Sequence, residues 1–249
     1  SSMFENEGDE LQKIFKIAKK AGATTSCDMT LPDPASSSGK APWRKILEKI
    51  LPYIDIFVPS VEETFYMLWP KKFLEMKRLH NNAELIDFLS PGDYSQIADE
   101  ILKMGCKMTT LKSGHRGFYI KTGSKERFDD MGAAKPCSYD NWSNRELWTP
   151  AFEPGHFGSA TGSGDSSIAG FLSAFLKGMS IEHALKYAVC CGWQNVQVPD
   201  AVSGIKSWEE TTTLIQNNMP LIDINCDDKD WIFSDKYQLW AGTNDILNS

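Results

Sequence analysis

The sequence predicts a three-layer α/β/α fold with a mostly parallel central sheet. In the first half of the chain, short β-rich runs alternate with helical patterns of ten or so residues. That order is typical of parallel strands joined by crossover helices. Neither an internal repeat nor a low-complexity linker interrupts the 249 residues. We therefore expect one α/β domain over 1–249.

Helices are predicted wherever apolar residues recur at helical spacing. Leu11, Ile14, Phe15 and Ala18 share one face of the first helix, which Gly22 closes. Further helices are expected at "APWRKILEKIL" (41–51), at 61–69 and at "DYSQIADEILKMG" (93–105). The polar stretch "KRLHNNAEL" is interpreted as a connection.

Strands are predicted where β-branched and aromatic residues cluster between turn residues. The predicted strands are "ATTSCDM" (23–29), "YIDIFVPS" (53–60, ended by Pro59) and "CKMTTLKSG" (106–114). The following "GFYIKTGSKERF" is expected to form a hairpin that turns at Gly123-Ser124. Residues 129–158 read as irregular, and 209–249 as an extended tail packed on the domain.

A helix is predicted to begin close to Asp165, because Ile168, Phe171, Leu172 and Phe175 follow the helical spacing. Gly178 ends this helix. Ser180 is the expected N-cap of the next one, which carries Ile181, Ala184, Leu185 and Ala188 on its apolar face.

Composition excludes several classes of function. The net charge of −7 opposes broad attraction to nucleic acid or to an anionic membrane. No apolar run approaches the roughly 20 residues that cross a bilayer, and the N-terminus lacks the pattern of a secretory signal. The six cysteines form no C-x-x-C pair, so we interpret them as structural thiols and expect a cytoplasmic protein.

The stretch "GSGD" (162–165) at the start of a helix carries the strongest chemical signal. Gly162 and Gly164 let successive backbone N–H groups point toward one spot, and the helix N-terminus adds partial positive charge. Such a turn can seat the oxygens of a phosphate, and Asp165 beside it could accept a proton from an attacking hydroxyl. The simpler alternative is that Asp165 only caps the helix.

"SATGSGDSSIAGFLSAFLKG" (159–178) resembles the signature of the ribokinase-like, PfkB-type carbohydrate kinases, which reads D-T-x-G-A-G-D before an apolar helix. The resemblance runs from about Leu11 to Trp208 and implies a ribokinase-like fold. It also implies that Gly162, Ser163 and Gly164 form the anion hole and that Asp165 is the catalytic base.

Other segments match the family in order and spacing. "DIFVPSVEET" resembles the strand that ends in P-N-x-x-E, so Glu63 is implied to organise Mg²⁺ and phosphate through water, with Ser60 in place of the Asn. "TTLKSGHRGFYIKTG" resembles the segment beside the nucleotide, with Lys112, Ser113 and Gly114 at its ATP-facing end. Asn195 falls where the family often contacts adenine or ribose.

The chain also departs from the family pattern. Ser159-Ala160 replaces the Asp-Thr that opens the signature, next to the loop for a possible monovalent cation. Nothing in residues 1–60 resembles the family's sugar-binding Gly-Gly segment or its β lid. The resemblance therefore implies the C-terminal, nucleotide-binding portion of such a kinase. We expect it to pair with a missing N-terminal part or with its own copy.

The resemblance implies an enzyme that uses ATP and Mg²⁺ to phosphorylate a hydroxyl of a sugar or sugar-like substrate. A nucleoside kinase of the same fold is an alternative. A second class of function is a non-catalytic fragment that binds nucleotide or a partner, and a third is an unrelated α/β binding protein. The sequence names neither the sugar nor the hydroxyl that is phosphorylated.

Overall fold

A computed structural model describes residues 2–217, 219–224, 226 and 230–247. The chain divides into two compact units. One comprises residues 1–111 and 120–135, and the other comprises residues 112–119 and 136–249. The single domain expected over 1–249 stays a prediction.

Helices and strands alternate along the first unit, as the sequence pattern predicts. They are α1 (Asp9–Lys20), β1 (Ser26–Cys27), α2 (Trp43–Ile50), β2 (Ile56–Phe57), α3 (Val61–Leu68), α4 (Pro70–Leu79), α5 (Pro91–Lys103), β3 (Met108–Lys112), β4 (Phe118–Thr122) and α6 (Lys125–Asp129). Short 3₁₀ turns cover Ser2–Gly8, Leu51–Tyr53, Leu85–Phe88 and Gly114–Arg116. Lys112 at the end of β3 and the start of β4 belong to the second unit.

The first three strands are parallel. Ser26 pairs with Ile56 and Cys27 with Phe57, and Ile56 pairs in turn with Met108. Parallel strands need helical crossovers, which cover both faces of the sheet and bury the strands. Ile56, Phe57 and Met108 are accordingly at most 2% exposed. The predicted α/β class with parallel strands is confirmed.

The second unit contains the predicted helix after the glycine turn and the one that follows it. Its elements are α7 (Tyr139–Trp142), β5 (Glu146–Thr149), α8 (Ser163–Leu176), α9 (Ile181–Val196), α10 (Trp208–Gln216), β6 (Ile232–Ser234) and β7 (Leu239–Ala241). Strand β7 pairs antiparallel with both β5 and β6.

Helices α8 and α9 approach each other closely because small residues face the interface. A Cβ on Gly170 would overlap the carbonyl oxygen of Tyr187, and one on Gly192 would overlap the hydroxyl of Ser167. Phe171 and Phe175 of α8 pack on the Trp142 ring, with centroid distances of 6.1 and 5.2 Å. This packing fixes the direction in which the N-terminus of α8 points.

The predicted hairpin at Gly123-Ser124 is wrong. Strand β4 ends at Thr122, and α6 follows over Lys125–Asp129. Tertiary hydrogen bonds hold this turn of helix, because Nη1 of Arg127 donates to the carbonyl oxygens of Leu102 and Cys106 at 2.7 and 3.0 Å. The local sequence pattern does not indicate those two acceptors.

Three further segments differ from expectation. Residues 129–158, expected to be irregular, contain α7 and β5. Part of the stretch taken as a polar connection belongs to α4, which ends at Leu79. The range 209–249, expected to be an extended tail, contains most of α10 and the β6–β7 pair; residues 218, 225, 227–229 and 248–249 of it lie outside the described residues. Across the described ranges, no helix is both long and apolar enough to cross a membrane.

The cysteines of the described structure form no disulfide. Burial raises the pKa of Cys190 to about 11 and that of Cys191 to about 12, so both thiols are protonated at neutral pH. Protonated buried thiols are poor nucleophiles and poor metal ligands, which agrees with a structural role.

Candidate functional site

The glycine turn of residues 162–164 leads directly into α8. Gly162 is the N-cap, with the left-handed φ of 79° and ψ of −4°. A Cβ at this position would lie 2.7 Å from Cβ and 2.8 Å from the carbonyl oxygen of Ala201. Both the backbone angle and the neighbouring chain therefore require glycine here.

One backbone N–H group of this turn is hydrogen-bonded within the described part of the protein, and its neighbours are not. The N–H of Ser163 donates to the carbonyl oxygen of Ala160 at 3.1 Å. Within the described residues, the N–H groups of Gly162, Gly164 and Asp165 donate to no protein acceptor, and no side chain caps the helix. Unpaired donors and the positive end of the α8 dipole together favour an anion at this place.

Lys112 brings a cation to the same turn. It is the last residue of β3, and a Cβ on Gly164 would lie 3.6 Å from its Cδ and 3.9 Å from its Nζ. Lys112 and Gly164 belong to the same unit. The strand end and the helix start therefore present a lysine together with the unpaired amides of Gly164 and Asp165.

Asp165 lies in the first turn of α8 with an exposed side chain. It also lies on the edge of a cavity of about 370 Å³, whose walls come from α8, α9, the 201–206 segment and α10. Because the carboxylate is open to this cavity, a hydroxyl inside it could reach the acid. The side-chain lining includes Ser173, Tyr187, Ile205, Lys206 and Trp208.

Aromatic stacking builds one wall of that cavity. The rings of Tyr187 and Trp208 stack with centroids 4.1 Å apart and planes 8° from parallel. The Tyr187 hydroxyl lies 2.5 Å from Oγ1 of Thr212 on α10. The sequence pattern does not connect these residues, because only the packing of α10 brings Trp208 next to α9.

Ser113 and Gly114 form the turn after β3. The N–H of Ser113 donates to the carbonyl oxygen of Gly117 at 2.9 Å, and Ser113 is 1% exposed. Gly114 is exposed and has a φ of 52°. A Cβ on Gly117 would overlap the carbonyl oxygen of Thr149, so the chain turns tightly beside β5. Gly114 thus presents open backbone, whereas Ser113 is enclosed.

Asn195, which the resemblance connects with the nucleotide, lies inside the second unit. It is fully buried, and its Nδ2 donates to the carbonyl oxygen of Asp200 at 3.3 Å. Its Oδ1 has no hydrogen-bond partner within the part of the chain that the structure describes. The side chain therefore braces the loop that follows α9.

Glu63 belongs to the other unit and has a local structural partner. Its Oε2 accepts the N–H of Ser60 at 2.7 Å, and the Ser60 hydroxyl accepts the N–H of Glu63 at 3.3 Å. This is a capping box at the start of α3. Across the described residues, no three His, Cys, Asp or Glu side chains group as metal ligands would.

The chain is similar to known carbohydrate kinases. A family model described as pfkB family carbohydrate kinase matches residues 5–210. A 2-dehydro-3-deoxygluconokinase of Bacillus subtilis (strain 168) is 25% identical over 170 residues, which are 64% of this chain and 45% of that protein.

Solved structures give the fold. A ribokinase of Arabidopsis thaliana, complexed with ribose and ATP, superposes with a TM-score of 0.54 and 19% identity over 82% of this chain and 51% of its own. A ribokinase of Thermotoga maritima superposes with a TM-score of 0.52 and 20% identity, over 82% of this chain and 52% of its own. These likenesses confirm the predicted ribokinase-like fold. The chain spans about half the length of these relatives.

Proposed function

This chain belongs to the pfkB family of carbohydrate kinases, and from that membership we propose that it transfers a phosphoryl group from ATP to a hydroxyl of a sugar or sugar-like substrate. One observation carries the proposal. The unpaired amides of Gly164 and Asp165, the cation of Lys112 and the exposed Asp165 carboxylate meet at the first turn of α8. Phosphoryl transfer depends mainly on such positioning and charge neutralisation.

The residues 162–164 would serve as the anion hole. Negative charge on the transferred group would face the Gly162, Gly164 and Asp165 N–H groups, which have no protein acceptor among the described residues. Preorganised donors of this kind need no rearrangement when the charge shifts. The N–H of Ser163 already donates to Ala160, so Ser163 contributes through its place in the turn.

Asp165 would act as the general base. Its carboxylate is exposed at the edge of the 370 Å³ cavity, one residue beyond the turn that would hold the phosphate. A hydroxyl in that cavity could pass its proton to the carboxylate as its oxygen attacks the γ-phosphorus. The bond between the γ-phosphorus and the bridging oxygen breaks in the same step, so ADP is the leaving group. The proton stays on Asp165 while the phosphate ester and ADP leave.

Lys112 and Gly114 would face the nucleotide. Lys112 supplies a mobile point charge for the phosphates, and Gly114 offers exposed backbone after the strand. Mg²⁺ would arrive with ATP as part of the substrate, because the described residues hold no group of metal ligands. A role for Glu63 toward that Mg²⁺ remains a prediction, as do the monovalent cation and the contact of Asn195 with the nucleotide.

The acceptor is proposed from the relatives. The Bacillus subtilis protein is named for a sugar acid, and the Arabidopsis thaliana structure holds ribose. We therefore choose 2-dehydro-3-deoxygluconate and ribose as the first acceptors to test. The Lys206 side chain on the cavity wall is a possible partner for the carboxylate of the sugar acid.

The test is ADP release with each acceptor, compared between the unchanged protein and Asp165→Asn. We expect the variant to lose at least about a hundredfold in kcat, because general-base catalysis typically contributes that much or more. ATP should still raise the melting temperature of the variant, since the anion hole is intact. Full turnover in the variant would refute the base assignment, and lack of ATP stabilisation in both proteins would refute the site.

A second candidate is nucleotide binding without turnover. The unpaired amides beside Lys112 favour this reading, because they need only a bound phosphate and no acceptor. In that case ATP would stabilise the protein, yet no acceptor would release ADP. The same two measurements therefore separate the two functions.

A further inference from the structure

A second cavity, of about 550 Å³, lies at the opposite end of α8 and is called here the basic cavity. Lys177, His183, Lys186 and Lys236 line it together with Glu182. Lys177 follows Asp165 by twelve positions, so about 18 Å of helix separates the basic cavity from the proposed base. The proposed base therefore lies away from the basic cavity, whereas Tyr187 borders both cavities.

The charge of this lining is unusual for the chain. Three lysines and one histidine face a single carboxylate, whereas the whole protein carries a net charge of −7. The Glu182 carboxylate is already engaged, since it lies 2.8 Å from Nη1 of the buried Arg145 and accepts from Nδ2 of Asn141 at 3.0 Å. The lysines are thus left with an excess of positive charge.

Glu182 acts on one of the three lysines: a hydrogen bond to Tyr237 has the larger effect, and together with the charge of Glu182 it raises the pKa of Lys236. Within the described ranges, no salt bridge involves Lys177, Lys186 or Lys236. Lys177 lies over the Trp208 ring at 4.8 Å, and Lys236 lies over the Tyr237 ring at 4.7 Å. Both could turn toward an anion in the cavity by a change of rotamer.

Among the three lysines, Lys186 would be stabilised most by a bound anion. It is half-buried on α9, its Nζ donates to the carbonyl oxygen of Gln238 at 3.1 Å, and it lies 5.6 Å from the Phe152 ring centroid. An ammonium can donate three hydrogen bonds. Burial lowers the pKa of Lys186 from 10.5 to about 8. A buried cation without a counter-charge is costly, and a bound anion would offset that cost.

We propose that the basic cavity binds a small phosphorylated molecule, whose phosphate lies between Lys186, Lys177 and Lys236. Lysines act as point charges that suit a phosphate dianion, and no arginine fork for a planar carboxylate lines the cavity among the described residues. The volume exceeds that of phosphate alone, so the cavity has room for an organic part of the ligand. Tyr187 and Ile215 offer that part an apolar surface.

The first experiment measures binding by calorimetry without turnover. The probes are ribose 5-phosphate, AMP and inorganic phosphate, with ribose and adenosine as their uncharged counterparts. We expect Lys186→Gln to weaken binding of the preferred phosphorylated probe by about tenfold or more, the loss of one charged hydrogen bond. A preference for ribose 5-phosphate would identify the ligand as a sugar phosphate, and a preference for AMP would identify it as a nucleotide.

Two control variants separate this site from others. Lys112→Met removes the cation of the proposed active site, and Lys13→Gln removes an exposed lysine of α1. Lys13→Gln should bind the phosphorylated probe within about twofold of the unchanged protein. Lys112→Met should lose only the binding that takes place at the proposed active site. If Lys112→Met abolishes binding while Lys186→Gln does not, or if no phosphorylated probe binds, the proposal is overturned. Failure of sugar phosphorylation would leave these results unaffected.

A second experiment needs no variant. At about pH 8 a large share of Lys186 is uncharged, so an amine-reactive ester should label it ahead of ordinary lysines. The bound phosphorylated probe should protect Lys186 in peptide mass spectrometry and leave Lys13 labelling unchanged. Labelling of Lys186 that the probe does not reduce would contradict the proposal even if Lys186→Gln failed to fold.

Discussion

At the scale of single residues, the candidate site depends on where backbone groups are left unpaired. The N–H groups of Gly164 and Asp165 point out of the first turn of α8 without a protein acceptor in the described chain. Gly162 makes this possible, because its left-handed φ lets the chain enter the helix without a capping side chain. Lys112 then adds a full charge beside Gly164.

Gly162→Ala tests this backbone requirement. An alanine there would combine a strained φ with overlap against Ala201, so we expect a loss of about 2–3 kcal/mol in the free energy of unfolding and weaker ATP stabilisation. Urea unfolding and thermal shift measure the two effects.

Gly22→Ala is the matched control. Gly22 has nearly the same φ, 78°, but a Cβ there would meet nothing within 4 Å. Gly22→Ala should lower the free energy of unfolding by only about 1 kcal/mol and leave the stabilisation by ATP unchanged. Equal losses in both variants would show that Ala201 does not hold the turn.

At the scale of elements, three of the described helices begin with a capping box. Ser90 and Asp93 cap α5, and the other two boxes pair a serine with a glutamate. Ser60 and Glu63 cap α3, and Ser207 and Glu210 cap α10, each through reciprocal hydrogen bonds between side chain and backbone. The geometry explains why a glutamate stands at the third position of α3 and of α10. In Glu63, this structural role coincides with the position that the family resemblance connects with Mg²⁺.

The substitution Glu63→Gln separates the two roles. Glutamine keeps an acceptor for the Ser60 N–H, so unfolding should change by less than about 0.5 kcal/mol. If the carboxylate acts on Mg²⁺, the Mg²⁺ concentration for half-maximal ADP release should rise severalfold. Glu210→Gln has the same cap and should alter neither quantity. An unchanged Mg²⁺ requirement in Glu63→Gln would leave Glu63 as a helix cap alone.

At the scale of the whole molecule, buried ions tie distant parts of the chain into the second unit. Arg145 beside β5 lies 2.8 Å from Glu182 on α9 and 2.9 Å from Asp245 near the C-terminus. All three side chains are at most 4% exposed. A network of this kind is strongly destabilised when one partner is removed, because the other charges stay buried.

This network predicts acid sensitivity. Burial alone would raise the pKa of Glu182, but the hydrogen bond from Asn141 and the charge of Arg145 outweigh it and hold that pKa below its ordinary 4.5. A carboxyl with a lowered folded-state pKa stabilises the fold above its unfolded pKa. That stability is lost as the pH falls through the folded value.

Glu182→Gln should therefore lower the free energy of unfolding by about 2–4 kcal/mol near pH 7. Its stability should also decline less steeply than that of the unchanged protein below about pH 4.5. Urea unfolding from about pH 7 to about pH 3 measures both. Glu209→Gln, on the exposed side of α10, should have the same stability as the unchanged protein at every pH. If stability falls equally steeply with acid in all three proteins, Glu182 does not cause the acid sensitivity.

The sequence by itself determined the α/β class, most helices, and the glycine turn before α8, because local spacing and φ-permissive residues encode them. It also indicated Lys112, Gly164 and Asp165 together through one family resemblance. Tertiary structure alone decided the rest. Helix α6 depends on acceptors from residues 102 and 106, and Asn195 is buried by a loop that the pattern does not locate.

The basic cavity is also a feature that only the tertiary structure decided. Lys177, Lys186 and Lys236 are scattered over sixty positions of an acidic chain, and nothing in their spacing connects them. Only the packing of α8, α9, α10 and the β6–β7 turn brings them around one space. Charges far apart in sequence interact through distance and burial, and folding alone sets both.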